Sequence, residues 1–217
     1  MTAPVVVAAD RTPAGAAAVG WATGFARLLG APLETCPCDP PDLLVAAARA
    51  RAVVVGHAGP FALRRPLLAV VDHAACDVVV VRGDPRPTFD RVTALVTGTV
   101  HDAPVLAEAV ELARLRGCAL RVLHAVPPLP VRVDDARWPV AHADQLLRGV
   151  RHTSVLARMH PHEAITRYAD TDLLVTGDPG PVTRAALHHA TCPVLVVRHP
   201  AVPHVPAQRD PRVTAAH

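Results

Sequence analysis

Lysine is absent. All 22 basic residues in the 217 are arginine, which removes both the lysine of a phosphate-binding P-loop and any Schiff-base catalyst. Aromatic residues make up only 3%, too few for the stacking platforms that hold single-stranded nucleic acid. The net charge of +3 is too weak to track a phosphate backbone. No apolar run approaches the ~20 residues of a membrane helix. Met1 leads into an apolar stretch at Val5 without the basic segment of a signal peptide. The five cysteines are odd in number, lack framework spacing and suit a reducing compartment, so a cytoplasmic chain is expected. Cys36-Pro37-Cys38 lacks the two-residue spacer of a redox or zinc pair and reads as structural. His160-Pro161-His162-Glu163 and His188-His189 have no cysteine cluster beside them and read as helix-end residues, so no metal is expected. Neither a Ser-His-Asp order nor a G-x-S-x-G elbow occurs. No catalyst is legible, and the expected role is non-enzymatic.

What the chain does contain is a duplication. From Asp172 to Arg198 it reads apolar run, Gly177-Asp178-Pro179-Gly180, helical segment, apolar run. Strand, glycine turn, helix and strand at this spacing make a βαβ unit, whose parallel strands place the turn at a carboxyl end. Open parallel sheets take ligands there, because helix amino termini offer free N–H groups to anions; alternatively, the glycines only make a tight turn. The same order runs from Val53-Val54-Val55-Gly56-His57-Ala58-Gly59 to Arg82. His73 to Arg82 and His189 to Arg198 are identical at seven of ten positions. Each half also opens alike: Asp10 precedes Gly30 by 20 residues, and Thr97 precedes Gly117 by 20. The fold class expected is α/β, with two tandem parallel-sheet, Rossmann-like domains.

The halves are unequal. Corresponding positions lie 87 apart at Asp10 and Thr97 but 121 apart at Gly56 and Gly177. The first half therefore lacks 34 residues, about one helix and one strand, and is trimmed. The offset falls to 116 at His73 and His189, so the second glycine turn is five residues shorter. Two prolines and a glycine in Gly83 to Asp90 mark a linker at 85–90, giving domains 1–84 and 91–199; the proline-bearing tail 200–217 has no periodicity and reads as disordered. Strands are expected at Val5–Ala9, Val78–Val81, Thr153–Ala157, Leu173–Thr176 and Val194–Val197. Helices are expected from Pro13 to a cap at Gly30, with Thr12 as N-cap, and around Ala141 to Gly149. Val78–Val81 and Val194–Val197 are uniformly apolar, and an open edge of that kind is adhesive. They are expected to pair with each other, an intramolecular pseudo-dimer, with a homodimer as a further option.

In these features the chain resembles the universal stress protein family in tandem form: VVVAAD, helices ending in Leu-Gly or Arg-Gly, DLLV before the glycine turn, and above all LHHATCPVLVVR. The resemblance covers roughly 3–83 and 91–199. It implies an adenine nucleotide alpha hydrolase-like fold and, in many members, ATP held by an Asp after the first strand and a G-x2-G-x9-G-S/T loop. Others bind no nucleotide and act through protein partners. Carried over, Asp10, Gly56 and Gly59 match the first half's site, with Thr12 beside them. The Gly-Ser pair falls on Arg64 and Arg65, which either contact phosphate or are solvated or paired with Asp72 or Asp84. In the second half Thr97 replaces the Asp; Gly177 and Gly180 match glycines, Pro181 stands at the Ser position and Thr183 lies beyond. A proline offers no N–H. Both loops are short for a triphosphate, so a regulatory, protein-binding module with a decayed nucleotide site is expected, the alternative being an ATP-binding member.

Overall fold

The computed structural model describes residues 2–57, 65–82, 88–128, 133–177 and 179–198. Gly59, Arg64, Asp84 and the tail 200–217 lie outside these, as do the side chain of Arg65 and residues 85–87 of the expected linker.

The chain runs β1 (Val5–Ala9), α1 (Pro13–Leu29), β2 (Leu33–Pro37), α2 (Pro40–Ala47), β3 (Ala52–His57), α3 (Arg65–His73) and β4 (Asp77–Arg82). The second half follows as β5 (Arg91–Leu95), α4 (Asp102–Arg116), β6 (Ala119–Ala125), α5 (Val133–Leu146), β7 (Thr153–Ala157), α6 (Pro161–Arg167), β8 (Leu173–Thr176), α7 (Pro181–His189) and β9 (Val194–Val196). Among the described residues nine strands form one sheet in the order β2-β1-β3-β4-β9-β8-β5-β6-β7. The second half carries one helix and one strand more than the first, α5 and β7, as the 34-residue offset requires.

Every strand neighbour is parallel except one. β4 and β9 pair antiparallel, with Val78 opposite Val196, Val79 opposite Leu195 and Val80 opposite Val194. The strands of the two halves therefore point in opposite directions. The apolar strand runs explain why the sheet is covered on both faces. Alternate residues of β1 enter different cores: Val5 and Val7 join α1, α4 and α5, while Val6 and Ala8 join α2, α3, α6 and α7. Both layers continue across the β4–β9 seam, Val79 and Leu195 on one side and Val78, Val80, Val194 and Val196 on the other.

Polar contacts lock the same junction. The Arg51 guanidinium reaches Asp77 and, at 2.5 Å, Glu108 of α4. Asp77 also accepts the Arg198 backbone N–H at 2.8 Å. Burial pushes the Glu108 carboxyl above its ordinary value, although Arg51 opposes it. Arg82 donates to the Leu187 carbonyl at the end of α7, and Arg184 of α7 faces Asp72 of α3 at 3.7 Å.

Local rules place the helices. Thr12 caps α1 by accepting the Gly15 N–H, and Pro13 occupies the first turn. Gly30 and Gly117 end α1 and α4 in the left-handed region. α5 differs from the sequence reading: it begins at Val133 rather than near Ala141 and carries Pro139 within it. Pro139 and Trp138 lie against Gly98, on the loop after β5, so tertiary packing outweighs the missing N–H.

α5 is fastened to the edge strand β7 through Asp144, whose Oδ1 accepts from the Ser154 hydroxyl at 2.5 Å and meets the His152 imidazole just before the strand. His152 meets the Val150 carbonyl at 2.8 Å through Nδ1 and Asp144 Oδ1 at 3.0 Å through Nε2. Both partners are acceptors, so the ring donates twice only as imidazolium. Burial pulls its pKa down, but these two bonds carry it above the ordinary histidine value. A raised folded pKa gives stability that is fully present below the unfolded value and lost as pH rises through the folded one. We expect the stability deficit of His152→Ala to be larger at pH 6 than at pH 9 by about 0.5 kcal/mol, a surface-pair magnitude. Urea denaturation of both proteins at the two pH values checks this, and equal deficits would mean the ring is not charged.

Candidate functional site

In each half the chain leaves the central strand toward one neighbour and later returns on its other side, at β1 and β3 in the first half and at β5 and β8 in the second. The crevice at the carboxyl ends of such a strand pair is where open α/β sheets take ligands.

In the first half Asp10 follows β1. Its Oδ1 accepts from the Thr12 N–H at 2.9 Å and the Thr12 hydroxyl at 2.5 Å. These bonds, the hydroxyl's first, hold the exposed carboxyl below the usual aspartate value. Asp10 thus orders the start of α1 while remaining open to solvent. Gly56 lies near the end of β3, directly under that helix start. A Cβ built on it would sit 2.5 Å from the Ala14 carbonyl carbon, closer still to its oxygen, and 3.0 Å from the Gly15 nitrogen. The glycine is required because helix and strand touch backbone to backbone, whatever else the turn holds. Asp72 faces Arg184 at 3.7 Å; its expected partners, Arg64 and the Arg65 side chain, lie outside the described residues.

In the second half Thr97 takes the acidic position, and a carboxylate arrives from elsewhere. Asp102, at the start of α4, is 2% exposed and reaches back over the loop. Its Oδ1 accepts from the Thr97 N–H at 2.9 Å and hydroxyl at 3.1 Å, and its Oδ2 accepts from the Gly98 N–H at 2.7 Å. Two backbone donors of this loop are occupied by the internal acid. Thr183 is likewise engaged: its buried hydroxyl lies 3.1 Å from the Gly177 carbonyl and 2.9 Å from the Thr176 hydroxyl. Since Thr183 has one proton and a carbonyl only accepts, Thr176 donates to Thr183. Gly180 is the N-cap of α7 with extended backbone, and Pro181 opens the helix without an N–H. Gly177 sits where Gly56 does, but under looser packing: a Cβ there would meet the Val105 Cγ2 at 3.3 Å and nothing nearer.

Two adjoining clefts occupy this end. One, of about 300 Å³, lies over the loop and the start of α7, with Thr97, Thr99, His101, Asp102 and Gly180 in its wall. The other, of about 240 Å³, is lined mostly by apolar residues and runs between Leu95, Leu123, Ile165 and Val182. They share Leu95, Thr97 and Val182. Sequence reasoning found Thr97, Gly177, Gly180 and Thr183 but missed Asp102, His101 and the apolar slot. The only signal for Asp102 was an acid opening a helix five residues after the replaced aspartate.

The surroundings of Cys36, Cys38 and Cys76 oppose thiolate formation. All five cysteines are free. Burial and neighbouring carboxylates raise Cys36 and Cys38 above the ordinary thiol value, and burial pushes Cys76 up to about 11. High pKa values keep thiols protonated and unreactive.

No family model matches the chain, and no curated protein does. Solved structures do. A universal stress protein from Archaeoglobus fulgidus DSM 4304 aligns over 83% of this chain and 80% of its own, with a TM-score of 0.64 at 14% identity. The chain has the universal stress protein fold. A putative universal stress protein from Pseudomonas aeruginosa UCBPP-PA14 aligns over 89% of this chain and 81% of its own, with a TM-score of 0.56 at 17% identity. A universal stress protein from Archaeoglobus fulgidus, solved in complex with dAMP, matches 49% of this chain and 95% of its own at 27% identity and a TM-score of 0.44. Among the described residues the second half contributes five strands, β5 to β9, and the first four, β1 to β4. Among the described residues no helix is long and apolar enough to cross a membrane.

Proposed function

We propose that this chain is a universal stress protein that works without catalysis, as a regulatory module for a protein partner in a reducing compartment, its nucleotide site reduced below what a triphosphate needs. The observation that carries this is the internal occupation of the second crevice. The Asp102 carboxylate takes the Thr97 and Gly98 N–H groups, the Thr183 hydroxyl is tied to Gly177, and Pro181 removes a donor from the helix start. A phosphate cradle works by aiming several N–H groups and a hydroxyl at one anion. A buried carboxylate among those donors also repels the anion. The β4–β9 seam supports reading one chain as the counterpart of two paired chains. The free cysteines suit the cytoplasm.

Isothermal titration with Mg-ATP tests the reading. No saturable heat is expected at micromolar protein, and tight magnesium-dependent binding would overturn it.

A second reading is favoured by one observation, the two clefts sharing Leu95, Thr97 and Val182. The apolar slot suits a flat ring and the hydroxyl-lined one a sugar, so an adenine nucleotide with few phosphates has room where ATP does not. Thermal-shift measurements with AMP, ADP and ATP separate the readings. Stabilisation by AMP above that by ATP supports the second.

A further inference from the structure

The short helix α6 is capped by an imidazole. At its start the His160 ring accepts from the Glu163 backbone N–H, and the Glu163 carboxylate accepts the His160 backbone N–H at 3.0 Å, a reciprocal capping box. The usual caps, Ser, Thr, Asp and Asn, go on accepting in mild acid. Histidine accepts only while one ring nitrogen is bare, because imidazolium is a donor on both sides.

Two more rings crowd this cap. α6 packs on α7 through Ala164, Ile165, Ala186 and Leu187, all buried in one core. The ring centres of His160 and His162 lie 5.8 Å apart, and those of His162 and His189, at the carboxyl end of α7, 5.4 Å. All three side chains are exposed, so protons reach them from solvent.

We propose that protonation of His160, His162 and His189 in mild acid uncaps α6 and loosens it from α7, opening the wall that α6 gives to the apolar slot. Three effects act in the same direction. The imidazolium of His160 cannot accept the Glu163 N–H, so the cap is lost. Cations at His160 and His162 stand at the positive end of the helix dipole. Charged His162 and His189 repel each other across the α6–α7 contact. The open form takes up protons without losing a cap, so by linkage a falling pH favours it. α6 supplies Pro161, Ala164 and Ile165 to the slot, beside Val182 of α7, and its departure widens that slot. The slot is the one that the second reading assigns to a flat ring, but the gate depends on no ligand.

The neighbouring charges leave the sign unchanged. Glu163 offsets one added charge, yet the lost acceptor is not replaced. Burial, then His189, Arg82 and Arg184, hold His188 below the ordinary histidine value, so it takes its proton late. Arg184 itself faces Asp72 of α3 at 3.7 Å, and Arg167 lies in the last turn of α6, away from the cap. His124 of β6 also lines the slot and meets the Val96 carbonyl at 2.8 Å through Nδ1; it is kept in the variant below.

The experiment is hydrogen exchange of the full chain at pH 7.5 and pH 5.5, read by mass spectrometry and expressed relative to the intrinsic rate at each pH. Opening of the α6 amides is expected to rise about 10-fold at the lower pH, from about 5-fold for a lost cap and about 2-fold for a cation at a helix amino end. The α4 amides stay unchanged. In His160→Ser/His162→Gln/His189→Gln, whose serine cap does not titrate, the rise falls below about 2-fold. A thermal midpoint equal to the parent's at pH 7.5 shows that this variant is folded. Absence of acid-induced opening in the parent overturns the proposal. So does an equal rise in the triple variant, which places the titrating group elsewhere, at His124 or another histidine.

Discussion

Alanine at position 56 should destabilise the protein by about 3 kcal/mol or more, whereas alanine at the corresponding position 177 should change stability by less than about 1 kcal/mol. The difference is geometric. A methyl group on Gly56 runs into the Ala14 carbonyl and the Gly15 nitrogen, which are backbone atoms of a helix fixed by its cap and cannot rotate away. Relief requires α1 to lift from β3, opening contacts of Ala18 and Ala22 with the sheet. A methyl group on Gly177 meets only the tip of the Val105 side chain at 3.3 Å, which yields by a few tenths of an ångström. Urea denaturation of both variants, with the parent's m-value retained, is the measurement. Comparable losses would show that the helix start in the first half is looser than its contacts imply, and that Gly56 is not fixed by packing.

Aspartate at both Val80 and Val196 should leave no soluble, cooperatively folding protein. Both residues are at most 1% exposed, belong to the same apolar layer, and sit two residues apart along the β4–β9 register. A carboxylate buried there without a partner costs about 3–5 kcal/mol, and two together, about 6–10 kcal/mol, are comparable with the total stability of an ordinary domain, about 5–15 kcal/mol. The parted strands would also expose open apolar edges to other chains. Aspartate at Val45, a residue 75% exposed on α2, serves as the control and should stay soluble. A double variant recovered in the soluble fraction with a sharp thermal transition would dismiss the seam as the element holding the halves together.

The repeat carried most of what was legible. The shift in offset from 87 to 121 residues became α5 and β7, because a sheet can lose an outer strand and its helix without disturbing the strands inside it. Thr12, Pro13 and Gly30 were readable because caps follow local rules. Thr153–Ala157 and Leu173–Thr176 were readable because turns bound them on both sides. α5 was cut short in the reading because Pro139 is costly in an isolated helix, and only packing against Gly98 shows why it is tolerated. Asp102 was invisible for a related reason. An acid opening a helix usually faces water, and only the fold turns this one inward onto Thr97 and Gly98. Gly56 was found for the right position, but its cause is the backbone of Ala14, 42 residues earlier in the chain, which no local pattern contains.

Because β4 and β9 belong to one polypeptide, their union does not answer to abundance. Separate subunits part when a cell holds few copies, but tethered segments see each other at an effective concentration on the order of millimolar however dilute the solution. A solitary molecule would keep its full nine-strand architecture, so the amount made can vary without altering assembly.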